Sequence, residues 1–406
     1  MTAAHRPRAS GRAREVVFWV HLASGLVAGL VVAVMSATGV AIAFEHEILA
    51  FFDRRVARVA APEGARRLSL DALVSSAAEK RPGFRPTLFL VPSDPTSALE
   101  LRAGREGALY VDPYSGSVSD PRSGAAHEIL HTLEEWHRWL GLEGRGQAVG
   151  KLVTGVCNAA LVLLCLTGLW VWLPLLPAGR SAWRRRLWFR RGLEGPARDR
   201  SWHDVVGFWT LPVLALLAGT AVVFSFEWGH RLVFAAFGEE APAARGPGML
   251  AGPPVSLPDG PPGRAPLSLE AIHAAAAARH PGHEAIALPL ARTAGPVRPL
   301  DVVVFEPAPF QTRGRVQLKV DPFTGDVLST FGWADRSAGT RARVLIRFLH
   351  TGEALGWPGR IVAVAASALS LVLVYTGFTL SWARFRRWRA RRRRDLPASE
   401  EVRAAF

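Results

Sequence analysis

Residues 18–44 read FWVHLASGLVAGLVVAVMSATGVAIAF, and this stretch decides the class of the protein. It contains no acidic or basic residue other than one histidine. As a helix rising about 1.5 Å per residue, it is long enough to cross the roughly 30 Å hydrocarbon core of a bilayer. Three further stretches have the same character: Leu152–Pro174, Val205–Phe226 and Ile361–Trp382. The sequence therefore predicts an integral membrane protein built on an all-α bundle of four transmembrane helices.

Arginine is concentrated in three segments that flank these stretches. The N-terminus has four arginines within its first fourteen residues, residues 180–200 read RSAWRRRLWFRRGLEGPARDR, and residues 384–396 read RFRRWRARRRRDL. Four spans place all three segments on one side, and the positive-inside rule makes that side cytoplasmic, together with both termini. The net charge of +15 is thereby assigned to loops beside anionic lipid, so the bilayer is the expected partner and nucleic acid is not. The first span is too long for a signal peptide and lacks a small-residue cleavage site.

The two long loops on the opposite side are similar to one another. LSLDALVSSAAEKRPG (68–83) matches LSLEAIHAAAAARHPG (267–282), and LYVDPYSGSV (109–118) matches LKVDPFTGDV (318–327). Each loop reads as an amphipathic helix that ends at Pro-Gly, followed by strands and a tight turn. Asp112 and Asp321 are expected to bond backbone amides within that turn. The sequence predicts one small α+β domain in each loop.

The spans repeat as well. Thr38 lies seventeen residues after His21 in the first span, and Thr220 lies seventeen residues after His203 in the third. Spans two and four pair through the dipeptides Thr167-Gly168 and Thr376-Gly377. The chain is therefore interpreted as an internal duplication of a unit made of span, domain and span.

Four of the twelve histidines recur with this repeat. His21 matches His203, and His350 matches His137 once a four-residue insertion after His137 is allowed. A single histidine at a helix end is usually an interfacial residue bonded to backbone or lipid. Two at equivalent places in a duplicated bundle can face each other and form the axial ligand pair of a haem.

In its sequence motifs, the chain resembles the PepSY-associated transmembrane helix family over nearly its whole length. The resemblance rests on VHLASGLVAGL (20–30), WHRWLG (136–141), WHDVVGFWTLP (202–212) and LHTGEALGWPGR (349–360), and the outer loops resemble PepSY domains. Members of the family include haem-containing reductases of the bacterial inner membrane that help to release iron from ferric siderophores. The resemblance implies that His21 and His203 hold a cytoplasmic-side haem b and that His137 and His350 hold a periplasmic-side one. Weaker candidates are His131, which competes with His137, and His46 and His230 at the outer span ends.

The resulting domain assignment is as follows: cytoplasmic N-terminus 1–17; first span 18–46; PepSY-like domain 60–125; periplasmic helix 126–149; second span 150–174; basic loop 175–200; third span 201–230; PepSY-like domain 255–335; short helix 341–359; fourth span 360–383; and basic C-terminus 384–406. In the fourth motif, Gly356 is expected to break the helix that bears His350. Pro358 is then expected to begin the span at its first turn, where a missing amide hydrogen is harmless.

The expected function is that of a membrane oxidoreductase. Electrons would enter at the inner haem, pass to the outer haem and reduce a periplasmic acceptor such as a ferric siderophore or another ferric chelate. The chain has no dinucleotide-binding fingerprint, so the donor is a separate flavin or NAD(P)H system or the quinol pool. Two other hypotheses are a haem-free membrane-anchored sensor or scaffold that binds a periplasmic partner such as a peptidase, and a transporter.

Overall fold

The computed structural model describes residues 9–104, 107–173, 186–243, 251–257, 265–290, 298–308 and 311–394. Parts of the predicted basic segments 1–17, 175–200 and 384–406 lie outside these ranges. The helices are α1 Ala9–Ile42, α2 Glu45–Asp53, α3 Leu70–Lys80, α4 Gly124–Trp139, α5 Gly146–Trp172, α6 Gly195–Ser225, α7 Glu227–Ala235, α8 Leu269–Arg279, α9 Ala338–Thr351 and α10 Gly356–Arg394. The strands are β1 Leu88–Pro92, β2 Leu99–Arg102, β3 Ala108–Val111, β4 Val118–Ser119, β5 Ala285–Pro289, β6 Leu300–Ala308, β7 Gln311–Val320 and β8 Val327–Phe331.

The chain forms two compact units. The bundle unit comprises Met1–Ala43, His131–His230 and Leu349–Phe406, and the sheet unit comprises Phe44–Leu130 and Arg231–Phe348. The four helices α1, α5, α6 and α10 are apolar enough and long enough to cross a membrane, as the sequence predicted.

In the bundle unit, α1 and α6 each pack against both α5 and α10. Four helices with these neighbours form a square arrangement in which α1 and α6 occupy opposite corners, as do α5 and α10. Small side chains allow close contact at the core, where Ala28 and Val32 of α1 pack against Cys157 of α5. Arg14, Arg200 and Arg384, from the described parts of the arginine-rich segments, lie together at one end of this bundle, which we call the basic end, and we call the opposite end the far end.

The sheet unit contains one antiparallel sheet of eight strands in the order β4-β3-β2-β1-β5-β6-β7-β8. Each predicted loop domain contributes a helix and four strands, and the two sets join where β1 pairs with β5, with Val91 opposite Ile286. Side chains from both sets form one continuous core beneath α3 and α8. The two loop domains therefore share a sheet and a core, which the sequence did not predict.

The helices α3 and α8 exchange caps. The carboxylate of Glu270 accepts a hydrogen bond from the Leu70 amide at 3.1 Å, and Asp71 accepts one from the Leu269 amide at 3.0 Å. Each acidic side chain thus lies at the N-terminus of the other helix, where amide groups lack intrahelical partners and the helix dipole favours negative charge.

The predicted aspartate turns are present in both loops. Asp112 accepts from the Tyr114 amide at 2.8 Å, and Asp321 accepts from the Phe323 amide at 2.7 Å.

A tight break precedes each of the spans α5 and α10. Between α9 and α10, Gly352 and Gly356 have φ of +79° and +63°, and Pro358 lies in the first turn of α10, as predicted. Gly359 approaches Gly352 so closely that a Cβ atom would overlap its carbonyl oxygen. In the other half, a Cβ atom on Gly150 would overlap the carbonyl oxygen of Trp139. These contacts require glycine at the start of the span in both halves.

Candidate functional site

Two of the predicted histidines meet at the basic end of the bundle. His21 of α1 and His203 of α6 come from opposite corners, and their ring centroids lie 6.4 Å apart with the ring planes at 89°. The Nδ1 atom of His21 lies 2.9 Å from the Thr167 hydroxyl, and that of His203 lies 2.9 Å from the Thr376 hydroxyl. Each imidazole is therefore oriented by a threonine from a neighbouring helix.

The other two histidines occupy the far end. His137 is carried by α4, and its Nδ1 atom lies 3.1 Å from the Thr38 hydroxyl. His350 is carried by α9, and its Nδ1 atom lies 2.9 Å from the Thr220 hydroxyl. A main-chain oxygen one turn before each threonine is also within reach of the same Nδ1 atom: Met35 O at 2.8 Å from His137, and Leu217 O at 3.1 Å from His350.

The far-end histidines lie near each other. Burial lowers the pKa of His350, and the charge of His137 lowers it further, so the two imidazoles are within electrostatic reach. The structure thus gathers the four repeat-related histidines into two pairs, one at each end of the bundle.

The threonines determine which ring nitrogen carries hydrogen. The hydroxyl of Thr167 donates to the Leu163 carbonyl at 2.7 Å, so its oxygen is available to accept from the imidazole. The other three threonines make the same bond to the residue four positions earlier. Nδ1 is then the protonated nitrogen, and the lone pair of each ring lies on Nε2. A hydrogen-bonded Nδ1 and an unprotonated Nε2 are the state in which histidine binds a metal.

Two glycines permit close approach to the rings. A Cβ atom on Gly168 would lie 3.1 Å from Cε1 of His21, and one on Gly39 would lie 3.0 Å from Cε1 of His137. Both positions follow a threonine that binds the same imidazole. At these two sites the threonine holds the ring and the following glycine leaves space for it, whereas a Cβ atom on Gly377 would lie 3.8 Å from Cε1 of His203, an ordinary contact distance.

This donor set fits haem. Two imidazoles on opposite sides of one metal lie roughly 6 Å apart between ring centres, because each metal–nitrogen bond is about 2 Å. The separation of 6.4 Å between His21 and His203 agrees with that value. Among the described residues no group of three or more His, Cys, Asp or Glu side chains could hold a metal ion. A macrocycle that supplies its own nitrogen ligands would need only two imidazoles from the protein, and His21 and His203 could provide them.

The weaker candidates are placed elsewhere. His131 is exposed over 58% of its side chain and lies 3.9 Å from Glu135. His46 is exposed at the start of α2, and His230 is buried in α7.

A group of arginines in the sheet unit was missed from the sequence. Burial lowers the pKa of Arg315, and the neighbouring charges of Arg347 and Arg102 lower it further. Arg336 is only 6% exposed, and burial and the charge of Arg315 lower its pKa as well. Within the described residues, Arg315, Arg336 and Arg347 form no ion pair with a carboxylate, and Nε of Arg336 is buried without a hydrogen-bond partner. Arg336 is buried and Arg315 and Arg347 are exposed, so these described residues carry positive charge that no carboxylate offsets.

In a comparison with protein families, residues 18–394 match the family described as the PepSY-associated TM region. The chain belongs to this family. The match includes the four long apolar helices and both halves of the sheet, and it supports a membrane location for this PepSY-associated membrane protein. Comparison with curated proteins gives no significant match.

Proposed function

We propose that this protein carries electrons across a bacterial cytoplasmic membrane and reduces an acceptor on the outer side, with a b-type haem at each histidine pair. The observation that carries the proposal is the repeated pairing of a histidine with a threonine. Four imidazoles, two at each end of a bundle, all direct Nδ1 to a threonine hydroxyl at 2.9–3.1 Å. Interfacial histidines bonded to lipid have no reason to share this arrangement.

In this proposal His21 and His203 would hold one haem at the basic end, and His137 and His350 would hold another at the far end. Haem held by two histidines would supply one-electron transfer rather than oxygen binding. The threonines fix the orientation of these four rings, which are partly buried among the helices. The protein needs no acid or base for such a transfer.

The distance between the two pairs is suited to a path across the bilayer. Thr38, which holds His137, lies seventeen residues after His21 on α1. This corresponds to a rise of about 25 Å, close to the thickness of the hydrocarbon core. Because the basic end is cytoplasmic by the positive-inside rule, electrons would move outward. They would gain about 2.3 kcal/mol each for a full crossing at 100 mV, inside negative.

For the acceptor, we propose an anionic ferric chelate of the siderophore class. The class comes from the resemblance to iron-releasing family members, and the excess positive charge of Arg315, Arg336 and Arg347 supports an anionic form. Arginine binds carboxylates and catecholate-like oxygens through paired N–H groups.

The deciding experiment is an absorption spectrum of the detergent-purified protein, oxidised and then reduced, with haem measured per chain. We expect a low-spin b-type spectrum with about two haems per chain. His203→Ala and His350→Ala should each remove one haem. His46→Ala and His131→Ala, which change exposed histidines, should remove none. Protein without haem, purified from haem-supplied cells, would reject the electron path and favour a membrane-anchored scaffold.

A further inference from the structure

A cavity of about 330 Å³ lies at the basic end of the bundle unit. Its walls include the side chains of Arg14, Phe18, Trp19, Arg200 and Arg384. The volume is at the lower limit of pockets that bind small organic molecules, which span about 300–1,000 Å³. Two aromatic rings and three guanidinium groups thus line one cavity that is open to the surface, where Trp19, Arg200 and Arg384 are exposed.

The charges around this cavity favour an anionic occupant. Arg14 donates to the Val171 carbonyl at 3.1 Å, and the guanidinium of Arg384 lies 4.9 Å from the ring centroids of both Phe18 and Trp19. Neither arginine has a carboxylate partner within the part of the chain that the structure describes. Arg200 is partly neutralised by Asp204 at 3.0 Å, and Glu15 also lines the cavity.

A fourth guanidinium adds to this excess. Burial lowers the pKa of Arg186; Asp204 opposes that effect, and the charges of Arg200 and Arg14 reinforce it. These interactions place Arg186 beside the same group. Its Nη1 atom is buried and makes no hydrogen bond to a described residue. Among the described residues, three guanidiniums line the cavity and Arg186 interacts electrostatically with two of them, against the carboxylates of Glu15 and Asp204, so an anion would find an excess of positive charge there.

The cavity is also close to the histidine pair at this end. Phe18 precedes His21 by three residues on α1, and Arg200 precedes His203 by three residues on α6. Residues three apart on a helix are neighbours on one face. A molecule in the cavity would thus lie about one helical turn from both imidazoles.

We propose that this cavity binds the electron donor and that the donor is a reduced flavin mononucleotide or a molecule of the same class, planar, aromatic and anionic. The inference rests on the proposed electron-transfer function. The guanidiniums would bind the phosphate, and the rings of Phe18 and Trp19 would pack against the flavin.

The chemistry of the step also favours flavin. Each reduced flavin would release two electrons, one after the other, and two protons, and would leave oxidised. The two electrons would pass toward the histidine pair and would reduce two Fe³⁺ to two Fe²⁺ on the outer side. A nicotinamide transfers a hydride and is poorly suited to deliver single electrons. A quinol carries no charge and gives no reason for four guanidiniums. An anionic lipid shares the phosphate but offers neither a flat ring nor electrons.

The test is a titration of the purified full chain with flavin mononucleotide, followed by quenching of flavin fluorescence. We expect binding by the wild type and at least a tenfold weaker affinity for Arg384→Gln, since one charge-assisted bond to phosphate is lost. Trp19→Leu should also weaken binding. Arg387→Gln, an exposed change one turn along the same helix, should not. Riboflavin, which lacks the phosphate, should bind at least tenfold more weakly.

Two further measurements on the same samples separate the explanations. Phosphorus analysis of the purified protein and competition by phosphatidylglycerol micelles test whether a lipid occupies the cavity. The proposal would be overturned if lipid remained bound and flavin mononucleotide did not bind. The number of haems per chain tests the proposed electron-transfer function independently of flavin binding. Haem without flavin binding would reject the flavin donor and leave the electron path intact, whereas flavin binding without haem would reject the donor role.

Discussion

The hydrogen bond between Thr167 and His21 gives the sharpest prediction. Thr167→Val keeps the shape of the side chain and removes the acceptor that lies 2.9 Å from Nδ1. The imidazole N–H then keeps the Leu164 carbonyl as an acceptor, and the neutral hydrogen bond that is lost contributes about 0.5–1.5 kcal/mol. Because 1.4 kcal/mol is a factor of ten, the haem that we propose at the basic end should bind about two- to twelve-fold more weakly. Metal sites in general lose about 10- to 100-fold in affinity from such changes.

The assay is the rate of haem transfer to an excess of a haem-scavenging globin. Two phases are expected in Thr167→Val, one accelerated and one unchanged, because only one of the two sites is altered. The midpoint potential of the altered site should rise, since a less basic imidazole stabilises oxidised iron less.

Matched variants make this result interpretable. Thr167→Ser retains the hydroxyl and should restore slow haem loss. Thr210→Val removes a buried hydroxyl on α6 that donates to the Val206 carbonyl, and it should leave both phases unchanged. If Thr167→Val retained haem at both sites as firmly as the wild type and showed the same potentials, the bond from Thr167 would have no part in haem binding.

Three further predictions concern the sheet unit. Ile286→Ala empties a fully buried position in the shared core, so it should cost about 2–5 kcal/mol and reduce hydrogen-exchange protection in β2 of the other half as well. Hydrogen bonds from Ser337 and from the amide of Gly339 lower the pKa of Glu239 from 4.5. The stability it contributes is therefore present above pH 4.5 and lost as the pH falls through the lowered pKa, and acid-unfolding curves should show this loss in the wild type and not in Glu239→Gln. Arg336→Met should raise the thermal midpoint without added anions and abolish the further increase that citrate gives the wild type; a citrate effect of equal size in both proteins would contradict it.

The bundle and its candidate site could be read largely from the sequence. Apolar length identifies a span without any knowledge of tertiary contacts, and equal offsets in two halves single out His21 and His203. Helix geometry then explains a choice that the sequence left open. His131 and His137 are six residues apart, which is about 600° of helix rotation, so they lie on different faces and only one can face the bundle.

Contacts between segments that are far apart in the sequence could not be predicted from local sequence patterns. The threonines were found as repeats, but their pairing with histidines depends on the register between helices. The β1–β5 pairing joins segments about two hundred residues apart, and no local pattern specifies it. The arginines of the sheet unit are also far apart in the sequence, at positions 315, 336 and 347, and only the fold brings them together.

The exchange of caps between α3 and α8 has a consequence for symmetry. A chain with only the first half would leave the outer edge of β1 unpaired. The N-terminus of α3 would also lack the carboxylate that now accepts its amide hydrogen bond. Two such chains could pair their β1 edges and cap each other's helices by forming a dimer. Each chain would place its Asp71, or the equivalent acidic residue, at the helix N-terminus of the other, as in an isologous dimer. A homodimer of this kind must have identical halves. Fusion into one polypeptide removes that requirement, so one half can carry four extra residues after His137 while the other keeps the shorter turn after His350. The surroundings of His137 and His350, the two histidines of the far-end pair, can then differ while the pairing of β1 with β5 is kept.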